Sequence, residues 1–82
     1  MAEKNRLDTF TKIAEIVADK LNIDKGLITG SATLEGLGAD SLDVIEIIMK
    51  IEEQFEVQID DQEAETLHTL DAVVDYVQKL RT

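Results

Sequence analysis

The segment Gly36-Leu37-Gly38-Ala39-Asp40-Ser41-Leu42-Asp43 holds the residues best arranged for chemistry. It runs into an apolar stretch of helical period, so Asp40 stands at an N-cap position and Ser41 at the first helical position. The first backbone N–H groups of a helix lack partners within it, and the dipole adds positive potential there. A phosphate ester on the Ser41 hydroxyl is stabilised by both. The glycines upstream let the loop approach closely and leave the hydroxyl accessible. From the residues alone a second reading stays open, and it is the commoner one. Asp-Ser ahead of an apolar run is also an ordinary cap, contributing on the order of 1 kcal/mol.

Other chemistries find less support. His68 is the only histidine and there is no cysteine, so no zinc or transition-metal site, disulfide or protein thiol nucleophile is expected. Asp60, Asp61, Glu63 and Glu65 are dense, but they lack the calcium-loop spacing with its central glycine. Gly36-Leu37-Gly38 follows no strand and lacks a third glycine, so the dinucleotide fingerprint fails. No catalytic constellation is present, and the chain is expected not to be an enzyme.

The elements that must position Ser41 follow from hydrophobic period. Leu7, Phe10, Ile13, Ala14, Val17 and Leu21 recur at helical spacing, predicting a first helix over residues 7–21. Residues 22–39 then form a connection that contains all four glycines. Loops of that length are uncommon in compact domains and are often functional. Leu27, Ile28, Leu34 and Leu37 are expected to pin it to the core. A second helix is predicted over residues 41–55. Asp60 with Glu63 gives an aspartate version of the capping box, predicting a short third helix over residues 61–66. Thr69 is the expected N-cap of a fourth helix, with Ala72, Val73, Tyr76, Val77 and Leu80 as its apolar stripe. The expected fold is all-α: a small four-helix bundle with three longer helices, one short helix and a long loop between the first two. The whole chain, residues 1–82, is expected to be one domain.

On the second helix, at about 100° per residue, Val44, Ile48, Ile51 and Phe55 cluster on a core face. Asp43, Glu46, Lys50 and Glu53 fall on roughly the opposite face. Leu42 and Met49 lie beside that acidic stripe, outside the core cluster. Two readings are open for them: an apolar binding patch, or burial against the long loop or another helix.

Eighteen acidic residues oppose eight basic ones, for a net charge of −10. Such a surface repels nucleic acid and anionic lipid headgroups. It attracts proteins with basic patches, and salt weakens that attraction. No 18-residue apolar run exists, so no stable membrane insertion is expected. Residues 1–10 lack the apolar core of a signal peptide, which makes the cytoplasm the expected location. The high charge favours a monomer.

The motif Leu37-Gly38-Ala39-Asp40-Ser41-Leu42-Asp43 resembles the attachment motif of acyl carrier proteins. Glu46, Glu52-Glu53-Gln54-Phe55, Ile59, Glu63-Ala64-Glu65 and the segment Leu70 to Leu80 follow the family pattern too. The resemblance covers nearly the whole chain, from about Leu7. A bare Asp-Ser-Leu is weak; in this register of a full-length acidic helical pattern it is specific. The resemblance implies 4′-phosphopantetheine as a covalent cofactor, transferred from coenzyme A to Ser41 by a carrier-protein synthase (a phosphopantetheinyl transferase) with magnesium. Acyl groups then ride on its thiol as thioesters, which suits a chain without cysteine. Asp40 is implied to fix the helix start and to help the synthase recognise the site.

The partners implied are that synthase and fatty acid synthesis enzymes with basic docking patches. Leu42, Asp43, Glu46, Met49, Glu53 and Glu56 are the implied partner-binding residues. An acyl-chain pocket is expected among Ile45, Ile51, Phe55, Ile59 and Ala64, since each buried methylene contributes roughly 0.8 kcal/mol. Three departures from the family pattern bear on partner preference: Gly36 where an acidic residue is frequent, Asp60 where proline is frequent, and Lys50 within the acidic stripe. A carrier for polyketide, nonribosomal peptide, lipid A or D-alanyl transfer is an alternative, as is an unmodified acidic helical adaptor.

Overall fold

Polar punctuation and apolar period together account for each element of the computed structural model, which describes residues 6–81. Helix α1 is Arg6–Leu21, α2 is Ser41–Phe55, α3 is Asp61–Ala64 and α4 is Leu70–Arg81. Asp8 in the first turn and Lys20 in the last complement the dipole of α1. The helix ends where Asn22 turns left-handed (φ 57°) and the Ile23 N–H donates back to the Ala18 carbonyl at 3.1 Å. Glu56, also left-handed (φ 56°), ends α2 in the same way, with the Val57 N–H on the Glu52 carbonyl at 3.2 Å.

The buried core is aliphatic. Ile13 and Val17 of α1, Ile47 and Ile51 of α2, and Leu70, Val73, Val74 and Val77 of α4 are almost wholly enclosed. Helix α1 is the central element, packing against both α2 and α4. Leu7, expected on its apolar stripe, is exposed. The core face of α2 is also rotated from expectation: Ile47 is buried, whereas Val44 and Phe55 are only partly so. Among the described residues Thr9 is the buried polar one, and its hydroxyl donates to Gln78 Oε1 at 2.7 Å and accepts from Arg81 Nη1 at 2.8 Å. Arg81 also stacks on the Phe55 ring, 4.7 Å from its centroid, closing the end of the bundle far from Ser41.

The connection before α2 is more structured than expected. Asp24 caps a 3-10 turn at Lys25–Leu27 by accepting from the Gly26 N–H. Leu27 does not pin the connection: it is 66% exposed, while Ile28 and Leu34 point inward and Leu37 is partly buried. The connection is laced to the start of α4 by Leu34 N–H to His68 O (3.2 Å), Leu70 N–H to Ala32 O (3.0 Å) and Asp71 N–H to Gly30 O (2.9 Å). A Cβ at Gly30 would lie 2.4 Å from the Asp71 carboxylate, so a larger residue there would push that side chain aside.

Helix α3 stops two residues short of the expected boundary. The Thr66 and Leu67 N–H groups donate to the Glu63 and Ala64 carbonyls, i to i−3, so the chain tightens out of α geometry after Ala64. Asp60 caps this turn through the Gln62 N–H at 3.3 Å. Thr69 Oγ1 accepts from the Ala72 N–H at 3.1 Å, the cap expected for α4. Among the described residues no strand forms; Thr33 and Thr69 make an isolated bridge.

Candidate attachment site and the surfaces beside it

A tight turn delivers the chain to Ser41. The Leu37 N–H donates to the Thr33 and Leu34 carbonyls, Gly38 to Glu35, and Ala39 to Leu34, all at 3.0–3.1 Å. Gly38 then reverses the backbone at φ 103°, a conformation strained for any other residue, with open space beside its Cα. Buried Leu34 and Ala39 anchor the turn from below. Asp40 and Asp43 lock the helix start with a reciprocal capping box. The Asp43 N–H donates to Asp40 Oδ1 (2.9 Å) and the Asp40 N–H to Asp43 Oδ2 (3.3 Å). Ser41 is the first residue of α2 and is exposed. The Ser41 and Leu42 N–H groups have no partner in the fold and remain for an anion on the Ser41 oxygen. A phosphodiester fits this position: it meets two donors and the helix dipole at an exposed residue.

From Ser41 a cavity of about 780 Å³ opens between α2, α3 and the loops. Ile45, Ile59 and Ala64 line it, together with Leu34, Val44, Ile48, Met49 and Leu67. Ile51 and Phe55 do not, which corrects the expected lining. Ile51 is fully buried in the core. Phe55 borders a separate hollow of about 340 Å³ at the Arg81 end. Val44, Ile45, Ile48, Met49 and Glu52 follow one helical stripe, a signal in the sequence that could have found the lining.

Glu52 was also missed. Its carboxylate borders the cavity and accepts the Ile59 N–H at 2.7 Å, tying α2 to the segment that leads into α3. His68 sits on the cavity rim. Among the described residues, no three metal-ligating side chains cluster.

The outer face of α2 carries exposed Leu42 (62%), Ile45 (56%) and Met49 (54%). Neither the long loop nor another helix covers Leu42 and Met49, so the burial reading of these two falls. Glu53 and Glu56 are exposed and Asp43 partly so. Glu46 is bound to Lys20 of α1. That hydrogen bond, aided by the charges of Glu46, Asp43 and Asp40, raises the Lys20 pKa above its usual value.

A helical fold that presents a serine at a helix start beside an apolar cavity defines the class of phosphopantetheine carriers, and residues 11–77 match the family model described as a phosphopantetheine attachment site. The acyl carrier protein of Syntrophobacter fumaroxidans is 46% identical over 69 residues, covering 83% of this chain and 85% of its own length. That of Clostridium perfringens is also 46% identical over 69 residues, covering 83% and 91% respectively. The solved acyl carrier protein from Enterococcus faecalis superposes with a TM-score of 0.79 at 29% identity, over 94% of this chain and 99% of that one. The chain belongs to the acyl carrier protein family, whose prosthetic group is 4′-phosphopantetheine. Among the described residues no helix is long and apolar enough to cross a membrane.

Proposed function

We propose that Ser41 bears the 4′-phosphopantetheine group and that the chain, acting as one carrier domain, delivers acyl intermediates to cytoplasmic fatty acid synthesis enzymes. The observation that carries this reading is the geometry of Ser41: exposed, first in α2, and flanked by two N–H groups left without partners. Attachment would join the Ser41 oxygen to the phosphorus of phosphopantetheine as the pyrophosphate P–O bond of coenzyme A breaks, the nucleotide half leaving as adenosine 3′,5′-bisphosphate and the hydroxyl proton passing to a base of the modifying enzyme. The group supplies a terminal thiol that holds acyl chains as thioesters. Everything else asked of this chain is positioning. The Asp40–Asp43 box fixes the direction in which Ser41 projects. The two N–H groups favour the charge placed there. The modifying enzyme supplies the base and the magnesium, so the absence of a general base beside Ser41 is no obstacle.

The cavity is read as the shelter for the acyl chain, with Ile45, Ile59, Ala64, Val44, Ile48 and Leu67 as its walls. The exposed face of α2 is read as the docking surface. Leu42, Ile45 and Met49 supply apolar contact there, and Asp43, Glu53 and Glu56 supply charge. Exposed charge pairs contribute about 0–1 kcal/mol each. Docking is therefore weak, fast and salt-sensitive, as a monomeric shuttle between enzymes requires.

The experiment is intact mass after incubation with coenzyme A, magnesium and a phosphopantetheinyl transferase, for wild type and Ser41→Ala. A gain of one phosphopantetheine in the wild type only is expected. No gain by a folded, unmodified wild type, or a gain retained by Ser41→Ala, overturns the assignment.

A further inference from the structure

Among the described residues, the cations of this acidic chain are almost all spoken for. Arg6 binds Asp75 (2.9 Å) and Asp71 (3.2 Å), Lys12 binds Asp8 (3.3 Å) and Lys25 binds Glu15 (3.1 Å). Lys20 binds Glu46, Arg81 binds Thr9 and Phe55, and Lys79 is engaged as well. Lys50 alone among the described cations has no ion pair or hydrogen bond, and it is exposed. It lacks one despite its position. Glu46 lies four residues before it and Glu53 three after, the two spacings at which helical side chains pair. Glu46 is turned away to Lys20, and Glu53 forms no bridge.

Lys50 is therefore an open positive charge on the flank of the Leu42–Ile45–Met49 strip, next in sequence to Met49. At about 100° per residue it projects between Glu46 and Asp43. Along the axis, at about 1.5 Å per residue, Asp43 lies about 10 Å to one side and Glu53 about 4.5 Å to the other. Because Lys20 cancels Glu46, the row reads minus, neutral, plus, minus. A uniformly basic partner gains at Asp43 and Glu53 and is repelled between them. A partner that covers Met49 also strips water from the Lys50 stem and head, and a desolvated charge must be paired.

Resting on the reading of α2 as the docking face, we propose that the proteins docking there present cation, carboxylate, cation in a row, with the carboxylate set against Lys50. The phosphopantetheinyl transferase of the source organism is such a partner and serves as the probe. The surface thus selects against partners whose docking patch is basic throughout.

Transfer to Ser41 is measured with wild type, Lys50→Arg and Lys50→Glu. In parallel, carbodiimide, which joins a lysine amine and a carboxylate in contact as an amide, is applied to the mixture. Crosslinks also formed by the chain alone are subtracted. The expected result is a crosslink from Lys50 to an Asp or Glu of the transferase. Lys50→Glu is expected to lower kcat/KM on the order of tenfold, through KM, with the effect shrinking in high salt. Lys50→Arg stays close to wild type. Converting the crosslinked transferase carboxylate to lysine restores activity toward Lys50→Glu. An unchanged or raised kcat/KM for Lys50→Glu, or crosslinks confined to carboxylates of this chain, overturns the proposal while leaving the carrier function intact. Absence of transfer to the wild type defeats the carrier reading itself.

Discussion

Removing the Glu52 carboxylate should loosen the roof of the cavity without disturbing Ser41. Its Oε2 accepts the Ile59 N–H at 2.7 Å across seven residues, spanning the left-handed turn at Glu56. Ile59 is buried, so its N–H has no ready substitute in water. A hydrogen bond to a charged group contributes about 1.5–3 kcal/mol, a neutral one about 0.5–1.5. Glu52→Gln keeps an acceptor of the same shape and should cost about 1 kcal/mol. Glu52→Ala also leaves a buried donor unpaired and should cost about 2–3 kcal/mol. The sharpest assay is native-state hydrogen exchange at the Ile59 amide. At about 1.4 kcal/mol per tenfold, exchange should quicken roughly fivefold in Glu52→Gln and roughly 30- to 140-fold in Glu52→Ala. Amides of residues 44–47, at the Ser41 end of α2, should change far less. Unaltered exchange at Ile59 in Glu52→Ala would refute the latch. Equal acceleration at both ends of α2 would show that the whole helix, not the α3 junction, depends on it.

Three further perturbations have expected outcomes. Glu56→Gly relieves a left-handed non-glycine position, so urea denaturation should show a gain of about 0.5–1 kcal/mol. The same variant removes a charge from the proposed docking face, so its KM with an enzyme that docks there should rise. Lys20→Met should lower stability by an amount that is flat from neutrality toward the ordinary lysine pKa and vanishes at higher pH. The folded-state Lys20 pKa is raised by Glu46, so its contribution is complete below the unfolded value and is lost as pH climbs through the raised one. Thermal melts of the two proteins should converge there. Finally, acyl forms of increasing length should melt at successively higher temperature, each buried methylene adding up to about 0.8 kcal/mol. A melting temperature indifferent to chain length would count against the cavity of about 780 Å³ as the shelter.

The helices were legible because local chemistry and hydrophobic period agree on them. The predicted bounds of α2 match because Asp40 and the periodic run leave a single start, and because periodicity ends at Phe55. Thr69 as the cap of α4 was readable for the same reason. The misses share a different cause, which is tertiary direction. Whether Ile51 faces the cavity or the core depends on where α1 packs, and period alone gives a face, not its neighbour. Phe55 looked like pocket lining because it is large and apolar, but its ring serves Arg81 from the far end of α4. Leu27 looked like an anchor, yet the Asp24 cap sets a 3-10 turn that throws it outward. Glu46 and Lys20 are distant in sequence, so nothing in the acidic stripe announced that one of its charges is already taken.

The site joins a fixed end to a yielding one along the same helix. At its start, α2 is fastened by the reciprocal Asp40–Asp43 box, by buried Ala39 and Leu34, and by the lacing of the long connection to α4. From its other end the chain runs through residues 56–60 into α3, whose four residues are far fewer than the ~12–15 an isolated helix needs to persist. That turn is held by its Asp60 and Thr66 hydrogen bonds, by the Glu52 latch before it, and by whatever apolar contact the cavity offers. Opening at α3 therefore breaks few bonds, each contributing about 1 kcal/mol or a little more. Opening at Ser41 would break a network that reaches α4. A chain that must admit and release varied cargo while presenting one attachment point needs this asymmetry. Swelling of the cavity is therefore expected to leave the direction of Ser41 unchanged, so that the proposed docking face of α2 reads the same to a partner whether the proposed shelter is full or empty.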